Sequence, residues 1–324
     1  MPFLLKESLI KNRSWLDYSS LENFMSCPRW YYWRSVRGLS TGSSAALIAG
    51  KAIHEAIATY HTTLRDGGNH DEALAKALDV LPPIMAEVKD DDPKRNLSVV
   101  RERLETYFNH WRNSTDQTLE VEIGFAVDLT TGWVCLKCNH ATDTASTGGK
   151  CPNCDEDLVE NAPVFVGKID RVVRTEFGVL INETKSTTIV GNRWHLRVKP
   201  NLQTDGYCRA WQIMTGERPA GARLDVIPLH EKPTSKHEPF RYIGIKTEDD
   251  LDAWEHDIRL WYKFILTCMA SGEWPRNTNR CYPLTGYSCP YPTLCEMYPK
   301  TPHGEITIPE QYTYDPWVPW DGLV

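Results

Sequence analysis

Several features are missing from this 324-residue chain, and each absence excludes something. No apolar run approaches the roughly 18 uninterrupted residues of a membrane-spanning helix. No internal repeat is visible, which excludes a solenoid or propeller. No Walker A motif is present, so the chain carries no P-loop nucleotide site of its own. Residues Met1 to Arg13 are mixed in charge and lack the apolar centre of a secretory leader, so the expected location is the cytoplasm. Positive charge is not in excess either: 36 Lys and Arg stand against 43 Asp and Glu, for a net charge of -7. That balance weighs mildly against a nucleic-acid binder, because a basic groove can coexist with acidic helices elsewhere. With 41% hydrophobic and 24% charged residues, the composition is that of an ordinary globular protein and not of a disordered one.

What the chain does have is cysteine in patterns. The ten cysteines include Cys135, Cys138, Cys151 and Cys154 as one group, Cys281, Cys289 and Cys295 as another, and Cys27 alone. In a reducing compartment such patterns read as metal or cluster ligands before disulfides. Two CxxC knuckles separated by twelve residues suit a tetrahedral Cys₄ zinc ribbon, against the alternative of a redox CxxC. Cys208 and Cys268 fall in apolar-patterned helices and read as buried thiols.

The periodicity changes along the chain. Ser19-Ser20-Leu21-Glu22 has the form of a capping box and predicts a helix to about Val36, rich in aromatics. A second helix is expected from about Ala46 through His54 to Arg65, stopped by Gly67-Gly68. Two more follow around Glu72–Leu81 and Lys94–Trp111. Val121–Leu129, Val164–Val173 and Gly178–Lys185 then read as strands, with a tight turn between the last two. Asn201–Thr215 reads as a helix, Ala222–Leu229 and Arg241–Lys246 as strands, and Asp249–Met269 as a long amphipathic helix. The Pro- and Trp-rich tail has no clear period. These elements predict an α/β core with a helical elaboration.

The chemistry concentrates at Gly167-Lys168-Ile169-Asp170 and Glu183-Thr184-Lys185. Residues two apart in a strand share a face, so Glu183 and Lys185 project together, and the preceding strand of the hairpin can bring Asp170 beside them. Two carboxylates and a lysine at the end of a hairpin suit Mg²⁺ or Mn²⁺. Such an ion acidifies a water and neutralises phosphoryl charge, while the lysine orients the water or stabilises the phosphorane. Taken alone, the pattern is more often that of a surface strand bearing a Glu–Lys ion pair, since such matches arise readily by chance.

Further motifs stand around it. Gly50 and His54 lie on one predicted helix, and Gln203 and Tyr207 lie at i and i+4 on another, just after the Glu183 strand. Together, Gly50…His54, Gly167…Asp170, Glu183…Lys185 and Gln203…Tyr207 resemble, in order, the four motifs of the RecB-type PD-(D/E)xK nucleases. The resemblance spans roughly residues 17 to 296. It implies a restriction-endonuclease-like mixed sheet flanked by helices, with a helical N-terminal elaboration and an inserted zinc ribbon. It implies His54, Asp170 and Glu183 as metal ligands with the Thr184 carbonyl, Lys185 as the group polarising the attacking water, and Gln203 and Tyr207 as positioning residues for the lysine or the DNA backbone. The expected organisation is a helical region 1–115, a nuclease core 116–300 holding the ribbon at 133–158 and the cysteines at 281–295, and a tail 301–324.

Cys27, Cys281, Cys289 and Cys295 resemble the [4Fe–4S] ligands of a subset of this family, which includes AddB-type recombination nucleases and nucleases of CRISPR adaptation. In that subset the cluster clamps the two ends of the domain together. The chain departs from the pattern: seven residues separate Cys281 from Cys289, where two are usual. Either a longer loop carries Cys281 or Cys268 substitutes; a second zinc site or free thiols is the other reading. The resemblance implies a DNA exonuclease of recombination or end processing, similar to phage recombination exonucleases. Single-stranded DNA or duplex ends are the expected substrate, with a recombinase, a single-strand annealing protein or a helicase as partner and no membrane. A CRISPR spacer-processing nuclease and a non-catalytic DNA-binding subunit are the competing readings.

Overall fold

In the computed structural model, residues 14–89, 91–142, 149–189, 194–229, 238–283, 288–316 and 318 are described. Met1 to Arg13, part of the loop between the CxxC knuckles and most of the last residues of the tail lie outside them.

The first helix is capped by Asp17, whose Oδ1 accepts the Ser20 N–H at 3.0 Å, and not by the Ser19 box. It runs over Tyr18–Ser26 (α1) and stops at Cys27, which is extended because Pro28 follows. Pro28 then opens a new short helix, Pro28–Tyr31 (α2), continued by one π-helical turn over Tyr32–Val36. The single helix expected to Val36 is therefore two, with Cys27 at the break. Next come Ala45–Arg65 (α3), capped by Ser44, then His70–Asp79 (α4), Leu81–Met85 (α5) and Leu97–His110 (α6). Tyr60, Leu104, Tyr107 and Phe108 fill the core between these helices and the sheet.

The central sheet has six strands. Trp15–Leu16 (β1) and, after the short Leu39–Ser40 (β2), Gln117–Asp128 (β3) both pair with Val164–Thr175 (β7). Between β3 and β7 the chain builds a separate small sheet from Trp133–Cys135 (β4), Ala141–Thr142 (β5) and Leu158–Glu160 (β6). β7 turns tightly into Gly178–Thr187 (β8), an antiparallel hairpin. Helix Leu202–Thr215 (α7), capped by Asn201 and ended by the left-handed Gly216, crosses over to Gly221–Pro228 (β9), which runs parallel to β8. Phe240–Ile245 (β10) closes that edge. The long helix Glu248–Ser271 (α8), started by a Thr247 capping box, packs against α7 through Trp254. The result is the expected mixed sheet flanked by helices.

The last described segment contains Pro292–Met297 (α9) and Thr313–Tyr314 (β11), which pairs with β2. Arg29 is buried and donates to the Trp274 carbonyl at 2.8 Å, the Tyr298 carbonyl at 3.2 Å and the Thr301 hydroxyl at 2.9 Å. Tyr31 stacks on Trp274 at 5.5 Å. The aromatic richness of the first helices is thus spent on the C-terminal segment.

Candidate active site

The β7–β8 ladder ends at Arg171 opposite Asn182, so one step further along Asp170 comes opposite Glu183. There the strands are tied by a side chain: the Thr184 N–H donates to Asp170 Oδ2 at 2.8 Å. The other oxygen, Oδ1, lies 3.3 Å from His54 Nδ1. Glu183 is 2% exposed, and its two oxygens differ. Oε1 accepts Lys185 Nζ at 2.6 Å and Gln203 Nε2 at 3.0 Å, while Oε2 is buried with no partner among the described residues. Gln203 Nε2 also lies 3.2 Å from the Tyr207 hydroxyl. Gln203 and Tyr207 therefore reach Glu183 and not Lys185 directly. All six expected side chains meet at the open end of the hairpin.

The charges act on one another. Asp170 pushes the His54 imidazole up to about 9, against the effect of burial. Burial raises the Asp170 carboxyl, but His54, the Thr184 N–H and Lys185 outweigh it and hold the group below its ordinary value. Glu183 is pushed up, first by burial and then by Asp170. Burial favours loss of the Lys185 proton, yet Glu183 outweighs it and keeps the ammonium well above its ordinary value.

The structure adds one residue to those expected. Glu122 on β3 is bracketed by the pairs Val121–Arg171 and Ile123–Ile169, which sets it opposite Asp170. Its backbone has φ of +50°, a conformation few non-glycine residues adopt. Ligand atoms of His54, Glu122 and Asp170 lie within 4.8 Å of one another, close enough to hold one ion. Lys168 pairs with Glu122 at 2.7 Å.

Gly167 has a steric reason. A Cβ there would stand 2.7 Å from the Phe125 ring and 3.2 Å from Tyr207. At Gly50, in contrast, a Cβ would meet nothing within 4 Å.

The sulfurs of Cys135, Cys138, Cys151 and Cys154 lie within 4.8 Å of one another, with two pairs at 3.4 Å. A tetrahedron of Zn–S bonds of about 2.3 Å has edges of about 3.8 Å, so the group fits such an ion. Cys27, Cys281, Cys289 and Cys295 do not form so close a group among the described residues. Burial pushes the Cys289 thiol up to about 12, and Cys27, Cys295 and Cys281 add to that rise. Three of the sulfurs accept N–H donors: Cys27 from Asn277 at 3.2 Å, Cys295 from the Trp33 indole at 3.4 Å and Cys289 from Tyr291 at 3.4 Å. The Cys289 N–H reaches the Arg280 carbonyl at 3.2 Å, which brings Cys289 back beside Cys281 despite the seven residues between them. Cys268, expected to be buried, is only half-buried, while Cys208 is fully buried as expected.

A sequence model described as the PD-(D/E)XK nuclease superfamily matches residues 16–296. No curated protein matches the chain. Among solved structures, a protein of Eubacterium rectale described as a candidate exonuclease is similar over 90% of this chain and 96% of its own. At 13% identity and a TM-score of 0.44, that likeness is too loose to carry an argument. No helix among the described residues is long and apolar enough to cross a membrane. The superfamily match covers both strands of the hairpin, α3 and α7, and on that match this chain belongs to the PD-(D/E)XK nuclease superfamily.

Proposed function

We propose that this chain is a divalent-metal-dependent DNA nuclease that works as an exonuclease in recombination or end processing. One observation carries the reading: His54, Glu122 and Asp170 bring ligand atoms within 4.8 Å of one another, and Glu183, across the hairpin from Asp170, keeps Oε2 buried without a partner among the described residues. The unpartnered, buried Glu183 Oε2 is the kind of atom that a cation satisfies. His54, Asp170, Glu183 and the Thr184 carbonyl would hold Mg²⁺ or Mn²⁺, with Glu122 as a further ligand. When bound, the ion supplies Lewis-acid stabilisation of the scissile phosphate. Lys185 keeps its proton, so it works as a donor, aligning the attacking water or neutralising charge on a non-bridging oxygen. Gln203 holds Glu183 in place, and Tyr207 supports Gln203 from the packed side.

The remaining parts serve as supports. Cys135, Cys138, Cys151 and Cys154 would hold zinc and stiffen a module too small for its own core. Cys27, Cys281, Cys289 and Cys295 would hold a [4Fe–4S] cluster as a structural clamp with no redox step in hydrolysis. The chain divides at about residues 115 and 300 into a helical region, a nuclease core and a tail. A recombinase, a single-strand annealing protein or a helicase would deliver the DNA.

The test uses end-labelled single- and double-stranded DNA with Mg²⁺, with Mn²⁺ and with EDTA. Mononucleotides should be released from ends in either metal, and nothing should be released in EDTA. Internal cuts alone would overturn the exonuclease mode, and no cleavage under any condition would overturn the reading. Elemental analysis of anaerobically purified protein should find about one zinc and about four irons per chain. Cys135→Ser and Cys151→Ser should lose the zinc and keep the iron. Absence of iron even after anaerobic reconstitution would remove the cluster.

A further inference from the structure

Arg171 follows Asp170 on β7 and reaches His61, two turns beyond His54 on α3. There Arg171, Arg223 and Arg241 gather round Asn182, Asp225 and Asp116, and beside them opens a cavity of about 330 Å³. Its walls include His61, Trp111, Arg112, Thr118, Arg171 and Arg241. His61 lies two helical turns beyond His54 on α3, about 10 Å along the axis, so the cavity is separate from the metal ligands.

The lining is rich in donors. Arg171 is 4% exposed, and its Nε has no partner among the described residues. The Trp111 indole N–H is buried and equally unpartnered. Asp225 is saturated by Arg241 at 2.6 and 2.9 Å and by Tyr107 at 2.7 Å, so it offers little to these donors. Arg241 is fixed flat over Trp111, 3.9 Å from the ring centroid. Three guanidiniums are set against two carboxylates, and Arg112 adds another charge at the exposed mouth. The field is positive enough that burial, joined by Arg171, Arg223 and Arg241, holds His61 well below its ordinary value.

Fixed, buried N–H donors with surplus positive charge select a compact, multiply charged oxyanion. We propose that this cavity is a phosphate-monoester site, separate from the metal centre. A diester within a strand carries one charge, whereas a monoester carries nearly two at neutral pH. Monoesters have two sources under the nuclease reading, on which only the choice of source rests: the free nucleotide that hydrolysis releases, and the terminal phosphate of a DNA strand.

The experiment is calorimetric titration of the full chain in EDTA with inorganic phosphate, deoxyadenosine monophosphate and deoxyadenosine. Phosphate and the nucleotide should compete for one site, and the nucleoside should not bind. Arg171→Met should weaken binding at least about tenfold. Arg112→Gln, at the mouth and safe for folding, should weaken it about threefold or more, and Lys185→Ala should leave it unchanged. Oligonucleotides with a 5′-phosphate or a 5′-hydroxyl separate the sources: tighter binding of the phosphorylated strand assigns a strand end, and equal binding assigns the free nucleotide. No binding at millimolar ligand, binding of the nucleoside, or binding indifferent to both arginine variants would overturn the site. Because EDTA removes the ions needed for cleavage, these outcomes stand apart from success or failure of the nuclease assay.

Discussion

At the open end of the β7–β8 hairpin, Asp170 divides its oxygens between the Thr184 N–H and His54, and Glu183 keeps Oε2 buried without a partner among the described residues. On the neighbouring strand β9, Asp225, fully buried, spends both oxygens on Arg241 and Tyr107. Both clusters cost desolvation, and each recovers it differently. The Asp225 cluster recovers it inside the protein, as a support should. The Asp170 cluster leaves part of it unrecovered, which is the condition for attracting a cation. Saturation of carboxylates thus separates a scaffold from a candidate site on neighbouring strands of one sheet.

The largest expected effect tests the scaffold side. Asp225→Asn leaves three buried guanidiniums short of charge and should cost about 3–5 kcal/mol, read from urea unfolding. Cleavage per folded molecule should survive, and its loss would erase the distinction between the two clusters. Lys185→Ala should behave in the opposite manner. Cleavage should fall about 100- to 1000-fold, while the melting temperature moves by only a few degrees, because the side chain is 40% exposed. Full activity in that variant would remove the proposed site.

Gly167→Ala sharpens the comparison by joining packing to chemistry. The added methyl meets Phe125 and Tyr207 and should cost about 2–3 kcal/mol. As Tyr207 gives way, Gln203 should loosen its hold on Glu183, so kcat should fall more than KM rises. An unchanged kcat in the folded fraction would mean that the Gln203–Tyr207 contact does not matter for turnover. The smallest effect is acid sensitivity. Burial alone favours a raised Asp225 pKa, but Arg223 and Arg241 outweigh it and lower the carboxyl from 3.8 to about 2. A lowered carboxylate contributes stability above its unfolded value, and that contribution is lost as pH falls through about 2. About 2 kcal/mol should disappear between pH 4 and 2 in the wild type and not in Asp225→Asn. Parallel pH curves for the two proteins would contradict this.

Much of the site was legible because its motifs are local. Glu183 and Lys185 are two apart in a strand, Gln203 and Tyr207 are four apart in a helix, and the Thr175–Gly178 turn fixes the hairpin. Glu122 was not legible although its strand was expected. Its place opposite Asp170 depends on the β3–β7 register, which shifts between Thr118 and Glu120. The arginine network was hidden for a similar reason. Arg171, Arg223 and Arg241 sit on three strands, and nothing in their spacing says that they share a face. The first helix was overextended because its period continues through Cys27, while Pro28 breaks it. The pairing of β11 with β2 escaped notice because two-residue strands carry no period.

The junction of the two ends has a consequence for biosynthesis. Besides local contacts with Phe24, Trp33 and Arg37, Arg29, Tyr31 and Tyr32 dock against Trp274, Tyr298, Thr301 and Pro302. A ribosome adding about 5–20 residues per second makes these partners on the order of tens of seconds after the first helices emerge. Through that interval the earliest part of the chain has its aromatic side chains made and their docking surface unmade. The hairpin and its crossover helix are complete well before it. Folding during translation therefore runs from the middle outward, and the first helices to be synthesised are among the last to be buried.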